Sequence, residues 1–436
     1  MKISAVTLFP ELYTTFFKTS LVRRAQESGA ISCDVLSMLE VCVPKERVDG
    51  PTFGHGPGML IRPEVIERAV EKQESKHGKA FKIFFSPHGQ KITQPLLKEL
   101  YQKIEQAGGH CMTVAARYEG IDARAEEHYA DAIISVGDAV LMGGDLPAMV
   151  LLEGLLRLVP GIVGREESVT QESFSGPFVD YPHYTAPVEW QGLKVPDVVR
   201  SGDHAAMAQW RRRQAAERTV AHHFDWVRSQ NADKKDRALV HEVMPPHYIA
   251  LMHTNVIVAD TGREGTTSVT SIDIHDLARS AKTFGIKHYF VVTPLEDQKK
   301  IVGRLLHFWQ EGAGVTYRED RHEALREVSC VPGLAEVIAA IEKREGQPPI
   351  IIATSAKEGV AQLQNITYYD QESVWAKKRP VLIIFGTGNG LGPSVLQQCD
   401  YLLLPVEGFS NFNHLSVRSA VAIVLDRWLG INIKNQ

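Results

Sequence analysis

The sequence predicts an α/β protein of two successive domains, each built around a mainly parallel sheet, with a small helical segment between them. Three observations predict it. Apolar strand-like runs alternate with amphipathic helix-like stretches through roughly the first 160 residues. The alternation gives way to loop and helix, then starts again beyond a short charged stretch. The length of 436 residues is too great for one ordinary core and fits two or three domains.

Taken in order, ISAVTLF leads to a helix starting at Pro10, AFKIFFS at Ala80 leads to LLKELYQKIEQAGG, and DAIISV at Asp131 leads through a loop to MVLLEGLLRLVPG. Gly108 and Gly161 supply the stops. From Arg165 to about Gln191 the periodicity is lost and Gly, Pro, Ser and Tyr gather, a long loop expected to cover an active site. WRRRQAAERTVAHHFDWV from Trp210 reads as helix, and SQNADKKDR from Ser229 as a polar, charged linker. Beyond it come the strand run YIALMHTNVIVAD, the helix DIHDLARSAKTFG, the strand KHYFVVT and further units ending in LSVRSAVAIVLDRWLG. The expected division is therefore 1–164, 165–228, a linker at 229–238, and 239–436. The halves share a scheme but no residue-level repeat, and no low-complexity segment occurs.

Composition excludes several classes. Hydrophobic residues make up 44% and charged residues 23%, far from a disordered chain. The apolar runs, such as VLIIF at Val381, fall short of the ~20 residues that span a bilayer, and MKISAVTLFPELY reads as strand and helix without a leader's cleavage pattern. Five scattered cysteines suggest neither a disulfide framework nor a CxxC knuckle, so a reducing cytoplasm is expected. A formal net charge of -4 means that nucleic acid would be held by local basic patches and specific pockets.

Five loop sequences stand at or near strand ends: GHGPGM at Gly54, SPHGQKITQ at Ser86, RYEGIDAR at Arg117, SVGDAVLMGGDLPAM at Ser135 and ESFSGPFVDYPHYTAP at Glu172. Loops in that position bind ligands in α/β proteins, and their glycines let main chain approach an adenine or ribose closely. Any one alone would be read as a tight turn. Neither a Rossmann GxGxxG with its acidic ribose ligand nor a Walker A pattern is present, which disfavours an NAD-dependent oxidoreductase.

These segments in this order, together with TLFPE, RLVPGIVG, YPHYT and VPDVVRSGDH, resemble the bacterial tRNA (guanine-N1) methyltransferases of the TrmD family from Met1 to about Trp226. The resemblance implies a SPOUT fold with a deep trefoil knot, S-adenosylmethionine as cofactor, magnesium as an accompanying cation, a homodimer with its active site assembled between protomers, and N1-methylguanosine formed in tRNA next to the anticodon, at guanosine 37. It places the cofactor against Pro87, Gly89, Tyr118, Glu119, Gly120, Ile134, Val136, Gly137, Leu141, Gly143 and Gly144. Arg157 falls on the family's arginine, suited to charge growing on O6. Glu172 falls on its general-base aspartate, one methylene longer, with Glu119 and Asp180 as the nearest alternative carboxylates. His55 and Ala139 depart from a family glycine and aromatic. No metal-ligand set is legible. Tyr181, His183, Tyr184 and Trp190 are candidates to stack on RNA bases, and Arg211, Arg212, Arg213 and Arg218 to meet phosphates.

In the second half DIHDLARSAKTFG from Asp273, VLIIFGTGNGLG from Val381 and YLLLPVEGFSNFNHLSVRSAVAIVLDRW from Tyr401 offer main-chain amides and glycine space to a nucleotide-like ligand. Together they resemble the three motifs of the SpoU ribose 2'-O-methyltransferases, a second knotted SPOUT group. That implies Arg279 as the catalytic arginine and cofactor contacts at Gly386, Gly388, Gly390, Leu404, Gly408 and Leu415. Asp273, His275, Ser416 and Arg418 depart from the motifs. The alternative is that this half is a catalytically silent RNA-binding or dimerisation module.

Overall fold

The structure is a computed structural model and describes residues 1–163, 172–258, 262–356, 363–410 and 412–433. The chain divides into two compact units, Met1–Ser175 and Gly176–Asn435. The boundary expected at 164–165 lies outside the described residues.

In the first unit, strands β1 (Lys2–Thr7), β2 (Ser32–Ser37), β5 (Phe81–Lys91), β6 (His110–Val114) and β7 (Ala132–Ser135) form a five-stranded sheet in the order β2-β1-β6-β5-β7. Every pairing in it is parallel. Strands covered on both faces need apolar residues on both, and Ile3, Ala5 and Val6 of β1 are all buried. A separate antiparallel pair, β3 (Asp49–Pro51) and β4 (Met59–Ile61), carries the loop around Gly54. β5 pairs with β7 twice: Ile83, Phe84 and Phe85 face Ala132, Ile133 and Ile134, and after an irregularity Gln90 and Lys91 face Ile134 and Ser135. The helix Gln94–Gln106 begins at Thr93, whose hydroxyl accepts from Leu96 N. The helix Asp145–Leu156 buries Ala148, Leu151, Leu152, Leu155 and Leu156. Gly154 lets it come close to Leu97, since a Cβ there would lie 2.6 Å from Leu97 Cδ1.

The second unit opens with a short ribbon, β8 (Glu189–Trp190) and β9 (Leu193–Lys194), and the helices His204–His222, Phe224–Ser229 and Lys234–Val243. Then follow β10 (His247–Met252), β11 (Thr254–Ile257), β12 (Glu264–Thr266), β13 (His288–Val292), β14 (Val328–Val331), β15 (Ile350–Thr354), β16 (Gln364–Ile366), β17 (Val381–Gly386) and β18 (Tyr401–Leu403). Seven of these form a parallel sheet in the order β14-β13-β10-β17-β15-β18-β16, while β11 and β12 make an antiparallel hairpin apart from it. The run YIALMHTNVIVAD, read as one strand, is thus broken at His253, beyond which Asn255 takes a left-handed φ of 54°.

The residues just before the expected linker at 229–238 are built into the core of the second unit. Val220, Phe224 and Val227 share one core with Trp375 and Trp428. Arg228 donates to the carbonyls of Asp426, Arg427 and Gly430, closing the C-terminus of the helix Val417–Leu429. Within the charged stretch, Asp233 accepts from Asp236 N at 2.8 Å and starts the helix Lys234–Val243, an N-cap where composition alone suggested coil.

Candidate active site

The irregular stretch of β5 between Phe85 and Gln90 meets the loops after β6 and β7. Their glycines are where main chain passes against main chain. A Cβ on Gly89 would lie 2.7 Å from Ile133 C, on Gly143 2.8 Å from Ala116 O, and on Gly144 3.1 Å from Ala115 Cα. Gly144 N donates to Ala116 O at 2.8 Å, tying the loop after β7 to the loop after β6. Gly120 and Gly137 instead have positive φ, 114° and 150°, with open space where a side chain would stand. Around them Pro87, Tyr118 and Leu141 are exposed, Val136 is half-buried, and Ile134 lies buried beneath. Glu119 N donates to Met59 O, and the Glu119 side chain fills the place a Cβ on Gly58 would need. Of the eleven expected contacts, Pro87 and Gly89 lie in the irregular stretch of β5 and the rest on the loops after β6 and β7 or at the end of β7.

A buried polar group missed in the sequence holds the loops together. Asp145, the first residue of its helix, is 2% exposed. Thr7 Oγ1 donates to Asp145 Oδ1 at 2.6 Å, and Arg117 Nε lies 3.3 Å from Oδ2, an ion pair rather than an aligned hydrogen bond. Burial raises the Asp145 carboxyl above its ordinary range, against the opposing pull of the Thr7 hydroxyl and the Arg117 guanidinium. Arg117 also donates to Met142 O at 3.2 Å and lies over the Phe9 ring. The sequence signal was the D of GGDLPAM, read there only as part of a motif.

Arg157 closes the far end of the same helix, and its Nη2 donates to Glu172 Oε1. The expected base and the expected guanidinium are therefore brought together. They are not brought to the glycine loops. Gly144 and Arg157 cap opposite ends of a helix of 12 residues, a span of about 18 Å at ~1.5 Å per residue. Asp180, the alternative carboxylate, belongs to the second unit and engages His183 Nε2 at 2.9 Å.

Most of the arginine run is engaged within the protein. Arg212 pairs with buried Asp236, Arg213 with Glu217 and Glu242, and Arg211 lies over the Tyr181 ring at 4.9 Å. Tyr181 packs on His183, and Tyr184 on Trp210. Arg218 is exposed and forms no ion pair among the described residues.

The second glycine loop, Gly386 to Gly392, sits at the end of β17. Gly388 and Gly390 have φ of 61° and 107°. The expectation that its amides are free for a ligand is corrected: Thr387 N, Asn389 N, Gly390 N and Gly392 N donate to Met252 O, Ile257 O, Thr387 O and Asn255 O. Leu404 follows β18, while Gly408 and Leu415 are exposed. Arg279 is exposed on the helix Ser271–Thr283, whereas Arg418 lies 3.4 Å from Asp273 and 3.5 Å from Asp276. Among the described residues no cluster of His, Cys, Asp and Glu could hold a metal ion, and no helix is long and apolar enough to cross a membrane.

Residues 1–229 match the family described as tRNA (Guanine-1)-methyltransferase TrmD, and residues 246–430 the family described as SAM-dependent RNA methyltransferase. A tRNA (guanine-N(1)-)-methyltransferase of Oleidesulfovibrio alaskensis is 38% identical over 436 residues, covering 99% of both chains. One of Bacillus licheniformis is 36% identical over 244 residues, 56% of this chain and 98% of its own. The crystal structure of a tRNA (m1G37) methyltransferase from Aquifex aeolicus aligns over 48% of this chain and 87% of its own, at 30% identity and a TM-score of 0.41. With one family spanning its first half and a relative matching it end to end, the chain belongs to the tRNA (guanine-1)-methyltransferase family.

Proposed function

We propose that this protein methylates N1 of guanosine in tRNA, at the position next to the anticodon, with S-adenosylmethionine bound by the irregular stretch of β5 and the loops after β6 and β7. The observation that carries the reading is the meeting of Arg157 with Glu172. The glycine-lined loops fit the donor. Their close main-chain packing and the open space over Gly120 and Gly137 leave room for an adenosine, with Tyr118 and Leu141 as apolar walls and Ile134 packed beneath. Bound there, the cofactor supplies an electrophilic methyl group. Glu172 takes the guanine N1 proton, and Arg157 stabilises the charge developing on O6. Tightly threaded loops of this kind support the trefoil knot of the SPOUT class. Magnesium would need oxygens from substrate or water to complete its shell, because the described residues offer no cage.

The length of the helix Asp145–Leu156 also favours a homodimer. One protomer cannot bring its own pair to its own donor loops across ~18 Å, but a two-fold partner can. Val140, Met142, Leu146 and Val150 are 88%, 85%, 61% and 52% exposed along that stretch, an apolar strip suited to such an interface. A cytoplasmic site of action suits the substrate.

For the second domain we propose ribose 2'-hydroxyl methylation of RNA with Arg279 at the reacting oxygen, and Gly386, Gly388, Gly390, Leu404, Gly408 and Leu415 around a second donor. A silent RNA-binding module is the other reading, favoured by the engagement of the loop amides. Nucleoside analysis of tRNA treated with the full-length protein and labelled donor tests both. The proposal expects labelled N1-methylguanosine and a ribose-methylated nucleoside that is lost in Arg279→Ala. Absence of the first refutes the main reading, and absence of the second leaves the silent module.

A further inference from the structure

The glycine-rich loop of the second domain is gripped by a hairpin from elsewhere in the chain. Ile257 N of β11 donates to Gly390 O at 2.9 Å, Asn389 N donates to Ile257 O at 2.8 Å, and Gly392 N donates to Asn255 O at 2.8 Å. A Cβ on Gly388 would lie 2.7 Å from Ile257 O. From β12, the Glu264 carboxylate takes Ser394 N at 2.8 Å and Ser394 Oγ at 2.5 Å, and a Cβ on Gly392 would fall 2.5 Å from Glu264 Cδ. These bonds from Ser394 hold the carboxyl of Glu264 below its ordinary range. The same hairpin runs on through Thr267, whose hydroxyl meets that of Thr387, into the helix that bears Arg279.

Two consequences follow from the amides of Asn389 and Gly392 being spent on the hairpin, with those of Thr387 and Gly390 bonded to Met252 O and within the loop. Its shape is imposed from outside rather than by a ligand, and any ligand beside it is recognised through the space its glycines leave. A carboxylate that accepts two bonds from one residue is the strongest single tie in that grip, since charge-assisted hydrogen bonds exceed neutral ones roughly twofold. We propose that Glu264 is a positioning residue of the second donor pocket: by clamping Ser394 it sets the shape of the Gly386–Gly392 loop for S-adenosylmethionine and couples that loop to the Arg279 helix. This rests on the reading that the second domain binds the donor.

Calorimetric titration of the full-length protein with S-adenosylmethionine tests it, together with the KM for that donor in N1-guanosine methylation. Wild type is expected to bind two equivalents per chain. Glu264→Ala should keep one site and an unchanged KM, with the other site weakened tenfold or more. Ser394→Ala, which removes only the hydroxyl, should weaken the same site less, and the double variant should be no worse than Glu264→Ala alone. Glu264→Gln, which can still accept from Ser394 N, should recover part of the affinity. One equivalent bound by wild type would overturn the underlying reading, and the proposal with it. Two undiminished sites in Glu264→Ala would overturn the proposal alone. Loss of both sites in Glu264→Ala would also overturn it, because a local clamp must spare the first pocket.

Discussion

The guanidinium of Arg157 donates to the carboxylate of Glu172, 15 residues further along the chain. Both side chains are partly exposed, at 43% and 31%, so the contact adds little to stability. In the proposed reaction its value is chemical: it would hold an acceptor for a proton and a donor for developing charge side by side. Arg157→Ala should lower the single-turnover methyl-transfer rate by about 100- to 1,000-fold, the loss usual for one stabilising donor. Melting should be almost unchanged. An equal loss of affinity for S-adenosylmethionine would contradict the assignment.

The distance along the helix Asp145–Leu156 predicts complementation between subunits. A Gly89→Ala chain should lose the donor, because its new Cβ would stand 2.7 Å from the Ile133 carbonyl, a clash that costs about 1–3 kcal/mol or more. Mixed with chains lacking Arg157, it should regain activity approaching about a quarter of wild type, since half the dimers would carry one complete site. If refolded mixtures stay inactive while each parent dimer is intact, the pair serves its own chain's donor.

Asp145 predicts a pH trend in the first unit. Its carboxyl is raised by burial, so its contribution to folding is full below the ordinary value of 3.8 and is lost as pH rises through the higher folded value. Asn at this position does not titrate. The melting temperature of Asp145→Asn relative to wild type should therefore climb as pH rises above that range, as calorimetry would show, and a flat difference would argue against the burial.

His247 and His253 predict the opposite trend in the second unit. Trp428 Nε1 donates to His247 Nε2, so the proton sits on Nδ1, against Pro245 O. Burial pushes both imidazoles down from 6.5 to about 4. Stability is complete above the unfolded value and falls as pH drops through the folded one. All six tryptophans lie in this unit, so their fluorescence reports its melting, which should fall between pH 6.5 and about 4. His247→Asn should flatten the slope.

Alternation of apolar runs made both parallel sheets legible, and the glycine-rich strings marked the loops at their strand ends. What stayed hidden depends on distant partners. Arg212 and Arg213 read as a phosphate-binding run because Asp236 and Glu242 lie on another helix. β11 was hidden in the string YIALMHTNVIVAD, read as one strand, which breaks at His253. Glu264 was invisible because Ser394 lies 130 residues away. Resemblance to the family could name Arg157 and Glu172, whereas their place beyond the far end of the helix Asp145–Leu156 from Gly144 needed the fold.

The most direct test is mass-spectrometric measurement of N1-methylguanosine in tRNA after single turnover with wild type and with Glu172→Gln, at saturating S-adenosylmethionine. With the proton acceptor removed, the rate should fall by about 100- to 10,000-fold, while donor binding stays within about twofold. Near-full N1 methylation by Glu172→Gln would show that another group takes the proton and would contradict the account.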